Sequence, residues 1–251
     1  MVKTVGPTPS TRRVAESAPL VVELVGVAGS GKSTLARALS QHSERVRLAL
    51  HPYFRRPGHI PFFIRHGLSL APTLLRLRLG STGRCTPRQI ACMIILNGWH
   101  RWFRRRALKR GTIVVLDQGP IALLAELYGL GPEWMRSEKA AKWWDRTFSR
   151  WADALDIVLW LDAPDKLLLE RIRARQKWHM VKGLPDAEAL NRVIRYRAAY
   201  KQVMIRLTSN STGPKVVRFD TAQACVDGTL DRFLQVLGLG GSEDIPSNQG
   251  V

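Results

Sequence analysis

Apolar runs at 20–25, 45–50, 112–117, 156–161 and 215–219 recur along the chain at intervals suited to parallel strands joined by helical crossovers. Helical patterns fill the gaps, at 33–40, 87–109, from Pro132 to about 152, 164–175 and 186–207. Pro132 and Pro164 suit a first helical turn, where the missing N–H costs nothing, and Asp186 and Glu188 favour the positive end of the last helix. The alternation predicts an α/β fold: a single doubly wound, parallel five-stranded sheet with helices on both faces and ligands at the carboxyl ends of the strands. Residues 1–18 read as a disordered lead-in and 239–251 as a matching tail, which leaves 19–238 as one domain. On the segment ending near 152, Trp144, Phe148, Trp151 and Leu155 fall on one helical face, a stripe that reads as core instead of a base-stacking platform.

The sharpest chemical signal lies between the first run and the first helix. Gly26, Gly31, Lys32 and Ser33 within GVAGSGKST fill the phosphate-loop pattern G-x-x-x-x-G-K-[ST] at its required spacing. Glycines let the backbone turn tightly and present N–H groups to phosphate oxygens, and the following helix adds its own unpaired N–H groups. Gly26, Gly29, Ser30, Gly31, Lys32, Ser33 and Thr34 are therefore expected to bind ATP, with Lys32 on the β- and γ-phosphates and the Ser33 hydroxyl on Mg²⁺. Asp117, at the end of TIVVLD, stands where an acid can meet that Mg²⁺. Arg171 and Arg175, four apart on one helix face, either are solvated or clamp charge on a transferred phosphoryl group; beside a nucleotide loop the clamp is favoured. Asp220 and Thr221 follow the last strand, where a loop can hold the base.

Charge changes the picture on one side of the molecule. The chain carries 39 Lys and Arg against 20 Asp and Glu, a net charge of +19, which argues for anionic partners. Residues 51–110 alone contribute 13 Lys and Arg with no Asp or Glu, interleaved with apolar patches at 60–64, 68–79 and 90–95. Such a mixture suits an acidic membrane surface or an anionic acceptor with an apolar part. Cys85, Cys92 and Cys225 form no C-x-x-C pair or metal spacing. With no secretory leader and no apolar run near the ~18 residues of a membrane span, a cytoplasmic protein is expected, peripheral at most to the inner face of the membrane.

GVAGSGKSTLARAL (26–39), LDQG (116–119), LDAPDKLLLERIRAR (161–175), RVIRYRAAYKQ (192–202) and FDTAQ (219–223) together resemble the nucleoside and nucleotide kinase group of P-loop proteins, most closely the thymidylate kinases. The resemblance implies an ATP:acceptor phosphotransferase in which Lys32 neutralises the transferred phosphate, Ser33 holds Mg²⁺, Arg171 and Arg175 lie in or beside a lid over about 171–186, and the 220–223 loop contacts adenine. The family has a carboxylate directly before the first loop glycine, where this chain has Val25 with Glu23 further back. It has Asp-Arg at the third strand's end, where this chain has Asp117-Gln118. The acceptor, nucleotide-like or lipid-like, is thus left open, with Arg55, Arg56 and Gln118 as candidates for binding it. A reading from another class is a nucleotide-gated module whose basic insert grips nucleic acid or acidic membrane.

Overall fold

In the computed structural model the described residues are 19–49, 51–52, 56–78, 85–106, 111–209, 212–222, 226–237 and 239, without the side chains at 78, 102–106, 226 and 227. The lead-in, all of the tail but Leu239, Arg55, Gln223 and Cys225 lie outside them. The strands are β1 (Leu20–Val25), β2 (Val46–Leu48), β3 (Ile113–Asp117), β4 (Ile157–Asp162) and β5 (Lys215–Asp220). They form one five-stranded sheet in the order β2-β3-β1-β4-β5, with every pair parallel. This is the α/β architecture the apolar runs predict. β1, β3 and β4 are nearly continuously buried because both faces are covered, whereas edge strand β5 buries Phe219 alone.

The helices are α1 (Lys32–His42), α2 (Ile60–Arg78), α3 (Pro87–Arg106), α4 (Pro120–Leu124), α5 (Glu138–Ala152), α6 (Asp165–Ala174), α7 (Asp186–Leu207) and α8 (Val226–Val236). Side chains of β1 alternate between two cores. Val22 and Leu24 meet Leu35 and Leu39 of α1 and Phe233 of α8, while Val21 and Val25 join the larger core with α3, α5 and α7. Trp144, Phe148, Trp151 and Leu155 are all buried in that larger core, and the Trp151 indole donates to the Leu96 carbonyl at 3.0 Å.

The helix expected to run unbroken from Pro132 is instead divided. Pro132 opens a 3₁₀ turn over Glu133–Arg136, and Ser137, with φ −64° and ψ 161°, interrupts the chain before α5. Trp144 explains the break, since its buried N–H takes the Met135 carbonyl at 2.5 Å and folds the turn back over the helix. α4 runs on into a π turn, Ala125–Gly129, where a Cβ on Gly129 would lie 2.4 Å from that of Ala199 in α7.

From β1 the chain passes to β2 and β3 on one side of the sheet, then to β4 and β5 on the other. The carboxyl ends of β1 and β3 therefore meet at the reversal, with Leu24 paired to Asp117.

Candidate functional site

Between β1 and α1 the backbone takes a path that only glycine accommodates at two points. Gly26 (φ 152°) lies where a Cβ would stand 2.2 Å from the Leu161 carbonyl oxygen, and Gly29 (φ 87°) where it would stand 2.8 Å from that of Leu168. The loop is thus pressed onto the end of β4 and the body of α6. No side chain caps α1, so its first N–H groups remain available to an anion at its positive end. A cleft of about 330 Å³ opens there, lined by Gly29, Ser30, Gly31, Thr34, Arg171 and Thr221.

Lys32 begins α1 yet is 8% exposed, with its ammonium donating to the carbonyls of Gly26 at 2.6 Å and Val27 at 3.1 Å. Burial brings its pKa from the ordinary 10.5 to about 8, with Arg175 acting in the same direction and Asp117 opposing both. Lys32, Asp117 and Arg175 are therefore one electrostatic group. Asp117 has a buried Oδ1 with no hydrogen-bond partner among the described residues, as does the Ser30 hydroxyl. The unpartnered carboxylate oxygen of Asp117 and the exposed hydroxyl of Ser33 at the helix start are oxygen donors of the kind a hard divalent cation takes, with phosphate and water as its other ligands. No cluster of three or more His, Cys, Asp or Glu suited to a metal occurs among the described residues.

The two arginines take different places. Arg171 donates to the Thr221 carbonyl at 2.9 Å and to its hydroxyl at 3.3 Å, so it ties α6 to the loop after β5 and walls the cleft. Arg175 ends α6, its Nε buried without a hydrogen-bond partner among the described residues and its carbonyl accepting from Lys182. The segment that follows brings in His179 and Lys182, which sequence reading passed over. The His179 pKa is lowered by burial and then by Arg175, Lys32 and Lys182, so cations from three parts of the chain converge there. An anion of high charge is the natural complement of such a group. The only signal for these residues was their place inside the expected lid.

Asp220 does not face the same cleft. Its carboxylate accepts from the Ala222 N–H at 2.8 Å, and it lines a separate groove with Asp162, Arg197 and Arg218. Asp162, buried at the end of β4, pairs with Arg197 at 2.9 Å and Arg218 at 2.5 Å and joins β4, α7 and β5. Gln118 is exposed at φ 60°, rare for a residue with a side chain. Glu23, fully buried in β1, holds that turn by accepting from the Ile121 N–H at 2.9 Å, and burial raises its carboxyl pKa well above the ordinary range. Arg56 is exposed before the turn that opens α2.

Residues 21–199 match the family model described as "AAA domain". A thymidylate kinase from Candida albicans is similar in structure, with a TM-score of 0.52 and 18% identity, over 88% of this chain and 92% of that one. A deoxyadenosine kinase from M. mycoides with bound dATP gives 0.49 and 14%, over 86% and 98%; the same enzyme with bound dCTP gives 0.48 and 15%, over 87% and 99%. No curated protein matches the chain in sequence.

Proposed function

The chain belongs to the AAA-domain family and has the fold of the P-loop nucleotide kinases, and from that premise we propose that it is an ATP-dependent phosphotransferase acting on a small anionic acceptor, nucleotide-like or lipid-like. The observation that carries this reading is the buried ammonium of Lys32, held by the loop's own carbonyls beside Asp117, Arg175 and the lid cations. A site built to bind a phosphate and nothing more has little use for that convergence. A site that must balance charge moving from one oxygen to another does.

In this reading the N–H groups of Gly29–Thr34 cradle the phosphates of ATP, and Lys32 reaches the β- and γ-phosphates. Ser33 and Asp117 hold Mg²⁺, which when bound neutralises phosphate charge. Arg175, His179 and Lys182 carry the charge at the γ end, and closure of their segment excludes water from the transferring group. Arg171 fixes Thr221 beside the base, and Asp220 shapes that loop through Ala222. Gln118, held at its unusual φ by the turn over Glu23, faces the acceptor side, to which Arg55 and Arg56 are also assigned.

The test is ATP turnover by the purified chain with Mg²⁺ against nucleoside monophosphates, nucleosides, sugars, polyprenols and RNA ends. One acceptor that raises ADP production many-fold and becomes phosphorylated supports the reading and names the substrate class. Turnover that stays slow with every acceptor, or stays normal in Lys32→Ala, refutes it.

A further inference from the structure

α2 is apolar on two sides. Phe62, Phe63, Leu70 and Leu77 enter the core, as one side of a surface helix should. The other side presents Ile60, Ile64, Leu68 and Leu75, which are 45%, 58%, 71% and 57% exposed. At 3.6 residues per turn these four, with exposed Pro61, Ala71 and Pro72, occupy an arc of about 120°, and exposed Arg65 and Arg76 follow along one edge. Four of the ten large, exposed apolar side chains among the described residues fall on this one stripe. Single exposed leucines are ordinary, but a continuous stripe marks a surface that meets something.

Charge identifies the occupant. Beyond Arg76 lies a groove of about 450 Å³ between α2 and α5, where Lys139, Lys142 and Arg146 line the wall with Glu138 as its one acid. The whole 51–110 segment has no acidic residue. A second copy docked through the same patch would set these cations against their own kind. Nucleic acid would answer the arginines and leave the isoleucines and leucines in water. A bilayer containing anionic lipid answers both, with the stripe entering the acyl boundary and the arginines at the level of the phosphates. α2, 19 residues long, lies along such a surface; no helix among the described residues is long and apolar enough to cross it.

We propose that the outer face of α2, with the basic groove beside it, docks on the surface of an anionic phospholipid bilayer. The surface stands apart from the nucleotide cleft, so the two fail independently.

Co-sedimentation of the full chain with vesicles tests this, comparing phosphatidylcholine alone with phosphatidylcholine containing phosphatidylglycerol. The chain is expected to bind the anionic vesicles at least about ten-fold more tightly, with each of Arg65→Gln and Arg76→Gln costing about five-fold. Leu68→Glu and Ile64→Glu should each cost about ten-fold or more, whereas Ile205→Glu, at an exposed apolar position on α7, should cost nothing comparable. Circular dichroism and ATP binding of these variants should match the parent, since the altered side chains stand outside the core. Equal binding to neutral vesicles, or anionic binding unchanged in both glutamate variants, overturns the proposal. A dimer that Leu68→Glu splits assigns the stripe to a second copy and overturns it too.

Discussion

Replacing Lys32 by methionine tests whether burying its ammonium in the phosphate loop carries an electrostatic cost. The ammonium is held from 10.5 down to about 8, chiefly by burial. At ~1.4 kcal/mol for each tenfold change in the proton equilibrium, the charged form is disfavoured in the folded chain by about 3 kcal/mol. Below pH 8 the folded and unfolded states both carry the proton, and the cost is present in full. Between about 8 and 10.5 the unfolded chain keeps the proton and the folded chain has lost it, so stability rises with pH; above that window the cost is gone. Lys32→Met removes the titration, while the Gly26 and Val27 carbonyls lose their donor at every pH. Urea unfolding at a series of pH values should therefore give a stability difference between parent and variant that grows toward high pH by about 3 kcal/mol, in the parent's favour. ATP should reverse the parent's behaviour by returning the proton, with uptake of about half a proton per nucleotide bound at pH 8, read by calorimetry in buffers of different ionisation enthalpy. Parallel stability curves through the window would refute the argument.

Gly29→Ala should lower stability by about 1–3 kcal/mol and weaken nucleotide binding, because the new Cβ meets the Leu168 carbonyl at a φ that alanine avoids; thermal unfolding and ATP titration check both. Arg171→Ala should leave stability within about 1–2 kcal/mol of the parent while lowering ATP affinity about ten-fold, as the loop at Thr221 loses its anchor. Asp162→Ala should cost about 1–3 kcal/mol in urea unfolding, since β4, α7 and β5 lose the acid that joins them while Arg197 keeps its pair with Asp165 and Arg218 stays solvated. Glu23→Gln should unfold more easily than the parent and Glu23→Ala more easily still, because both carboxyl oxygens face backbone N–H donors: an amide keeps one acceptor and buries an NH2 against donors, and alanine keeps neither.

The strands were legible because a parallel strand covered on both faces is written as an unbroken apolar run, and β1, β3 and β4 are such strands. α2 could be read only as apolar patches. A helix with one buried face and a second, exposed apolar face shows no clear 3.6-residue alternation, and Pro72 falls inside it. The division before α5 was hidden for a different reason. It depends on Trp144 reaching back to Met135, a contact made only once the helix has formed. α8 was legible and was passed over: Leu230, Phe233, Leu234 and Leu237, which pack in the core with α1, recur at helical spacing.

The phosphate loop was the most legible part of the site because its geometry is local: the residues that shape it are neighbours in sequence, and the fold adds only the wall of β4 and α6 that forbids a Cβ at Gly26 and Gly29. His179 and Lys182 were not legible, since a cation declares a role only through what it is brought against, here Lys32 and Arg175. Glu23 shows how far this reaches. The carboxylate expected directly before the loop is absent, and Val25 stands in its place. Glu23, two residues earlier, shares that side of the strand because strand side chains alternate with a period of two. There it is enclosed beneath α4 and bonds the turn that holds Gln118 at φ 60°. A carboxylate one pleat further back thus holds the backbone between β3 and α4 and not the phosphate loop itself. Arginine is missing after Asp117 in the same turn. Both departures from the kinase pattern thus bear on one turn, and the proposed reading assigns the acceptor to groups other than that arginine, with Gln118 as the candidate.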